Sequence, residues 1–186
     1  MTLLVVGITV PTVSKADDVG DLLQALGDMG HSFASFFLSF AILARYWLGH
    51  HNLVANLQRL DRRMMTINLA YLAFIAFLPF PTALLGTYSG NSLAIAGYAA
   101  VAAVVSSLEV ILLRHARTAG LLRRPMSDDV YRWAWRSSLV PVVLFAASIP
   151  VAFAAGQVGY LVWALNIPAQ KYADRNAPEG ADEFFG

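Results

Sequence analysis

The chain has 186 residues, a formal net charge of +1 and no cysteine; 58% of it is hydrophobic, 13% is charged, and its mean hydropathy is +0.57. A soluble domain carries about 25% charged residues, so this composition excludes an ordinary water-soluble globule. The near-neutral balance gives no footing for a nucleic-acid partner, and the lack of cysteine removes disulfides, thiolate catalysis and Cys-based metal sites together.

The charges that remain are clustered. Residues 64–108 and 137–170 contain no Asp, Glu, Lys or Arg, and each run exceeds the roughly 20 apolar residues that a bilayer-crossing helix needs. The length suits one compact membrane domain, read as residues 1–172, followed by a polar tail over residues 173–186. In chain order, Met1–Val10 is apolar and Pro11 stops it. Ten helical residues reach about 15 Å, half the hydrocarbon core. This stretch lacks the basic n-region expected of a signal peptide. It reads as the back half of a membrane helix, or as a short helix that begins inside the membrane. Across Asp17–Asp28, Val19, Leu22, Leu23 and Leu26 recur at helical spacing among aspartates, which suits a helix on the membrane surface or a solvated connector.

Segment two runs over Met29–Ala44 and is extended by Tyr46, Trp47 and Leu48. Arg45 can snorkel outward there, and Tyr46 with Trp47 is expected in an aromatic belt. Segment three covers Met64 to about Leu85, with Pro79 and Pro81 near its far end, where a helix kinks or stops. Gly86–Asn91 is a turn by composition. Segment four, Ser92–Leu113, carries Glu109 and a ladder of small residues, Ala99, Ala103 and Ser107 alongside Ala96 and Ala100, which permits close helix packing. The last charge-free run divides at Gly156–Gly159 into segment five, from near Tyr131, and segment six, to near Tyr172. Its 34 residues are too many for one helix and few for two.

Six segments result, the first of them short. Twelve of the thirteen basic residues then fall on one side, with Lys15 alone on the other. The positive-inside rule sets that side, and with it both termini, in the cytoplasm.

Few side chains in this scheme can carry chemistry. His50 and His51 make a poor metal pair, because adjacent helical residues point about 100° apart and no third ligand is evident. One imidazole can instead hydrogen-bond a polar group of a neighbouring helix, and Asn68, at the same depth, is such a group; otherwise both are polar residues at an interface. Glu109 lies near the surface, in reach of Arg114 and water. Nucleophile elbows, glycine-rich phosphate loops and paired intramembrane carboxylates are all missing from the sequence. Neither an enzyme nor a proton-coupled transporter is therefore expected, and no cofactor or resident metal.

Thr2-Leu3-Leu4-Val5 closing in Pro11, then Tyr46-Trp47-Leu48-Gly49-His50-His51, then Asn68 followed by Phe77-Leu78-Pro79-Phe80-Pro81-Thr82, resembles the transmembrane protein 175 family of lysosomal potassium channels and their bacterial homologues. The likeness runs from the first residue to about Ile167. It implies an all-α membrane protein with six transmembrane helices per subunit, a homotetramer in single-repeat bacterial members, and a potassium-permeable, leak-type channel of the bacterial plasma membrane. Its partners would be the lipid bilayer and monovalent cations. The resemblance also implies a pore lined by the first helix, with Leu3 and Val6 as apolar gate rings and Thr2 as a hydroxyl layer for selectivity. Trp47, His50, His51 and Asn68 would form an interhelical polar network. The family's Phe-Ser-Asp motif, which bonds to that network from the start of helix one, does not occur in this sequence. The alternatives from other classes are a non-conducting membrane scaffold or accessory subunit and, third, a small-solute transporter.

The charge asymmetry gives the first testable outcome. Single cysteines placed in the Arg114–Arg124 loop of this cysteine-free chain should resist an impermeant thiol reagent added outside the cell, and labelling there would invert the topology.

Overall fold

The computed structural model describes residues 19–185. Among them every regular element is a helix, and the only β-type pairing is one isolated antiparallel bridge, Leu57 to Leu122.

Helix α1, Val19–Asp28, follows the amphipathic spacing and buries none of its residues. Helix α2, Gly30–Ala55, spans 26 residues and turns Ser35, Ser39, Leu43, Tyr46 and Leu53 inward. These positions recur every three or four residues, one stripe of an α-helix. Its other faces expose Phe33, Phe37, Phe40, Trp47 and Leu48, so it is apolar all round, as a helix surrounded by lipid should be.

Segment three is two helices, α3 (Arg62–Phe77) and α4 (Pro79–Thr87), joined at Leu78. Pro79 has no N–H to donate, which interrupts the ladder as the sequence anticipates. The freed groups find local partners. The Leu78 amide donates to Phe74 and Ile75 carbonyls, and the Thr82 hydroxyl donates to the Leu78 carbonyl at 2.8 Å. Helix α5, Ser92–Thr118, is the centre of the bundle, packed on α6, α3, α4 and α2. Its small buried residues are Ala94, Ala96, Ala99, Ala102, Ser106 and Ala116, whereas Ala103 and Ser107 are half-buried and Ala100 faces outward. The expected ladder therefore holds at Ala96 and Ala99, weakens at Ala103 and Ser107 and fails at Ala100: steps of three and four track one helical face, and strict fours drift off it.

Helix α6, Asp128–Ala155, is 28 residues long and is capped by the Ser127 side chain, which accepts from the Val130 amide. It ends at Gly156, whose φ of +56° a side chain would resist. Beyond it, segment six is short and broken: α7 (Val158–Ala164) and α8 (Asn166–Arg175) meet at Leu165. Pro168 accounts for the break, because its ring clashes with the carbonyl four residues back, at Ala164. Four helical stretches among the described residues are thus long and apolar enough to cross a membrane: α2, α3 with α4, α5 and α6. The short first segment lies outside the described residues. The stretch read as a polar tail ends in α9 (Asp182–Phe185), which turns back with Phe184 buried.

One end of the bundle is tied by backbone bonds. The Gln58 amide donates to the Leu121 carbonyl at 2.8 Å, and the Arg123 amide to the Asn56 carbonyl at 2.9 Å. The Asn56 side chain donates to the Phe184 carbonyl at 3.1 Å, and Arg124 pairs with Glu183 at 3.2 Å. The α2–α3 and α5–α6 connections, which with the adjoining helix ends bear seven arginines between residues 59 and 124, therefore share one end with α9.

Asp61 caps α3 at this end, accepting from the Met64 amide at 2.6 Å, and both its oxygens receive His115 Nε2 at 2.9 and 3.0 Å. The amide first, then His115, holds the Asp61 carboxyl below the usual carboxylate range. A depressed native pKa adds stability above the unfolded value, near 4, and loses it as pH falls through the native one. Asp61→Asn, which keeps the cap acceptor, should be less stable than the parent at neutral pH, with the gap closing under acid. Thermal unfolding in detergent across that range measures it, and a pH-independent gap would remove the charge from the account.

Candidate functional site

Near the arginine-rich end, α2, α3 and α5 meet along a seam of polar side chains. Leu43, Tyr46, His50 and Leu53 follow one another on the inner stripe of α2. That register swings Tyr46 inward and leaves Trp47, about 100° further round, facing out. Tyr46 is 3% exposed and Trp47 54%. The pairing of Tyr46 with Trp47 in an aromatic belt is thus corrected: only Trp47 is positioned for it.

The Tyr46 and Ser106 hydroxyls lie 2.8 Å apart, and each lies 2.9 Å from the Ala102 carbonyl of α5. The Tyr71 hydroxyl of α3 donates to the Tyr46 carbonyl at 3.0 Å. One turn along, His50 Nε2 donates to Asn68 Oδ1 at 2.6 Å, and the imidazole stacks on Tyr71 with centroids 4.9 Å apart and planes 7° from parallel. His51 points the other way and stacks on Trp47 at 5.2 Å. The adjacent histidines therefore divide as helix geometry requires: His50 joins the seam and His51 joins the exposed aromatic face. Among the described residues, no group of three His, Cys, Asp or Glu could hold a metal ion.

Glu109 closes the seam on the α5 side. A Cβ built on Gly49 would collide with the Glu109 carboxylate and lie 3.0 Å from Arg45 Nη1. The absent side chain of Gly49 is therefore the space that the carboxylate occupies. Its cationic neighbour is Arg45, one turn before Gly49 on α2, rather than Arg114, as the sequence suggested. Arg114 lies five residues on along α5, rotated well away from Glu109.

Sequence reasoning missed Tyr46, Gly49, Tyr71 and Ser106 as members of this seam. The inward stripe through Leu43 and Leu53 was the available signal for Tyr46. Gly49 and Tyr71 gave none without their neighbours. Leu3, Val6 and Thr2 lie outside the described residues.

What this arrangement can do is lock three helices at fixed register. Buried hydrogen bonds between membrane helices contribute about 0.6 kcal/mol on average and about 1.7 at most. A double-mutant cycle of His50→Ala and Asn68→Ala should return a coupling within that span, and zero coupling would dismiss the bond. Gly49→Ala should cost about 1–3 kcal/mol through overpacking. It should cost little in a Glu109→Ala background, where the carboxylate no longer fills the site.

Comparison with known proteins gives concordant matches. A family model described as the endosomal/lysosomal potassium channel TMEM175 matches residues 1–79. A potassium channel of Streptomyces collinus is 32% identical over 164 residues, covering 86% of this chain and 71% of the relative. A potassium channel of Chamaesiphon minutus is 31% identical over 131 residues, 69% of this chain and 64% of that one. The endosomal/lysosomal proton channel TMEM175 of Bos taurus is 37% identical over 83 residues, with this chain spanning 17% of its length. In fold, the chain is similar to the crystal structure of a lysosomal potassium-selective channel TMEM175 homologue from Chamaesiphon minutus. The TM-score is 0.77 at 24% identity, covering 92% of this chain and 89% of that one.

Proposed function

The chain belongs to the TMEM175 family, and on that premise we propose that it is a potassium-permeable, leak-type cation channel of the bacterial plasma membrane. The family is one of ion channels and not of enzymes. The match to a bacterial potassium channel across most of both chains is the observation that carries the reading. The four apolar spans support it, since a channel must first be a membrane protein.

Four subunits closing around one axis would give the pore. The first helix would line it, with Leu3 and Val6 turned to the axis. Residues three apart on a helix share nearly one face and differ in height by about 4.5 Å. Four copies therefore stack two apolar rings, which exclude water when narrow and pass ions when they widen or hydrate. Thr2 would add a hydroxyl layer that partly replaces an ion's hydration. The seam through His50, Asn68 and Tyr71 would hold the outer helices at fixed register behind that lining. Both termini would be cytoplasmic, which the charge asymmetry supports. The permeant ion would be K⁺.

Ion flux from liposomes at matched reconstitution tests the pore. Leu3→Ala should raise flux and weaken selectivity, while Leu4→Ala, about 100° round the helix, should leave flux near the parent's. Thr2→Ala should change K⁺ over Na⁺ preference more than total current. Equal flux from the parent, Leu3→Ala and Leu4→Ala would take the first helix out of the pore. Native mass measurement showing only monomer or dimer would count against the ring of four.

A further inference from the structure

Between the first half of α6 and the facing side of α8 runs a groove of about 900 Å³, outside the polar seam. Its lining changes character with depth. Going along α6 away from the arginine-rich end, the lining passes from Asp129 and Arg132 through Arg136 to Val140, and on α8 Ala169 lies about one turn further from that end than Tyr172. Arg136 to Val140 is one helical turn, about 6 Å. Charge, then aromatic ring, then aliphatic wall is the order of a membrane surface read from water inward. The Trp133 indole, also in the wall, donates to the Ala173 carbonyl at 2.8 Å and ties the two helices together beside the groove.

The charges do not cancel. Arg132 pairs with Asp129 at 2.6 Å, whereas Arg136, exposed to the groove, has neither an ion pair nor a hydrogen bond among the described residues. The groove therefore carries one uncompensated guanidinium, a planar donor whose geometry matches a phosphate. Basic pockets between membrane helices suit anionic lipid headgroups. An aliphatic wall just deeper gives the first methylenes of an acyl chain a place to lie, and no free anion needs one.

We propose that this groove binds an anionic phospholipid, its phosphodiester on Arg136 with support from Arg132, and its upper acyl chain along Val140 and Ala169. The proposal rests on the membrane reading alone and does not require that the chain conduct. Bound lipid would complete the gap between α6 and the short, broken segment six, which is too small to seal that side by itself.

Native mass spectrometry of the intact protein in mild detergent tests this, with phosphatidylglycerol and phosphatidylcholine of identical chains as probes. The parent should retain phosphatidylglycerol preferentially. Arg136→Gln should lower that retention about fivefold, the effect of one basic residue near a charged lipid, and leave phosphatidylcholine unchanged. Val140→Phe keeps both arginines and fills the deep end, so it should reduce retention of both lipids together. Unaltered preference in Arg136→Gln, or unaltered retention in Val140→Phe, would overturn the proposal. Displacement of the lipid by excess inorganic phosphate would overturn it too, since the site would then be one for a free anion. A changed subunit count in either variant would mark the groove as a contact between copies of the chain, and the proposal would fall.

Discussion

Hydrocarbon offers a peptide group no hydrogen-bond partner, so a chain that crosses it must satisfy each N–H and C=O within its own helices. The architecture is arranged around that demand, most visibly where helices break. At Leu78 the ladder stops before Pro79, and the Ile75 carbonyl that Pro79 cannot serve accepts from the Leu78 amide at 3.3 Å, while the Thr82 hydroxyl lies 2.8 Å from the Leu78 carbonyl and 2.9 Å from Ser39 Oγ. At Leu165 the amide donates to the Val162 carbonyl in a tighter turn. Buried hydroxyls on α2, α4, α5 and α6 are likewise satisfied inside the bundle, and they cross-link helices as they do so. Ser148, for example, donates to the Phe145 carbonyl and accepts from the Trp163 indole.

The same demand explains what was legible in the sequence. Charge-free runs and flanking arginines locate α2, the α3–α4 pair, α5 and α6, because apolarity over a bilayer's thickness is a one-dimensional property. The turn at Gly156 and the break near Pro79 were readable for the same local reason. Segment six was less so. The charge-free run that it shares with segment five fell between one span and two, and the effect of Pro168 on the carbonyl of Ala164 decides how segment six divides.

The polar seam was legible only in part. Helix geometry alone separates His50 from His51 and sets Asn68 at the right depth for one of them. Which histidine faces inward depends on the neighbours of α2, and a sequence gives those only through the stripe of Leu43, Tyr46 and Leu53. Gly49 is the limiting case. Its role lies in the atoms it lacks, and the carboxylate occupying that space comes from Glu109, 60 residues away in the chain. A family likeness names the histidine pair and the asparagine; the tyrosines, glycine and serine that complete the seam come from packing.

The paired connections at the arginine-rich end bear on how the protein is made. Leu57 and Leu122 are 65 residues apart. At a synthesis rate of about 5–20 residues per second, the first hairpin waits roughly 3 to 13 seconds for its partner strand to emerge. During that interval the carbonyls of Asn56 and Leu57, which later accept from the Arg123 amide and guanidinium, have only water or lipid headgroups to bond. The polar loop of α2 and α3 is thus held at the aqueous surface until α5 is threaded. The clasp between the two connections cannot close until the second of them has been made, well after the first hairpin.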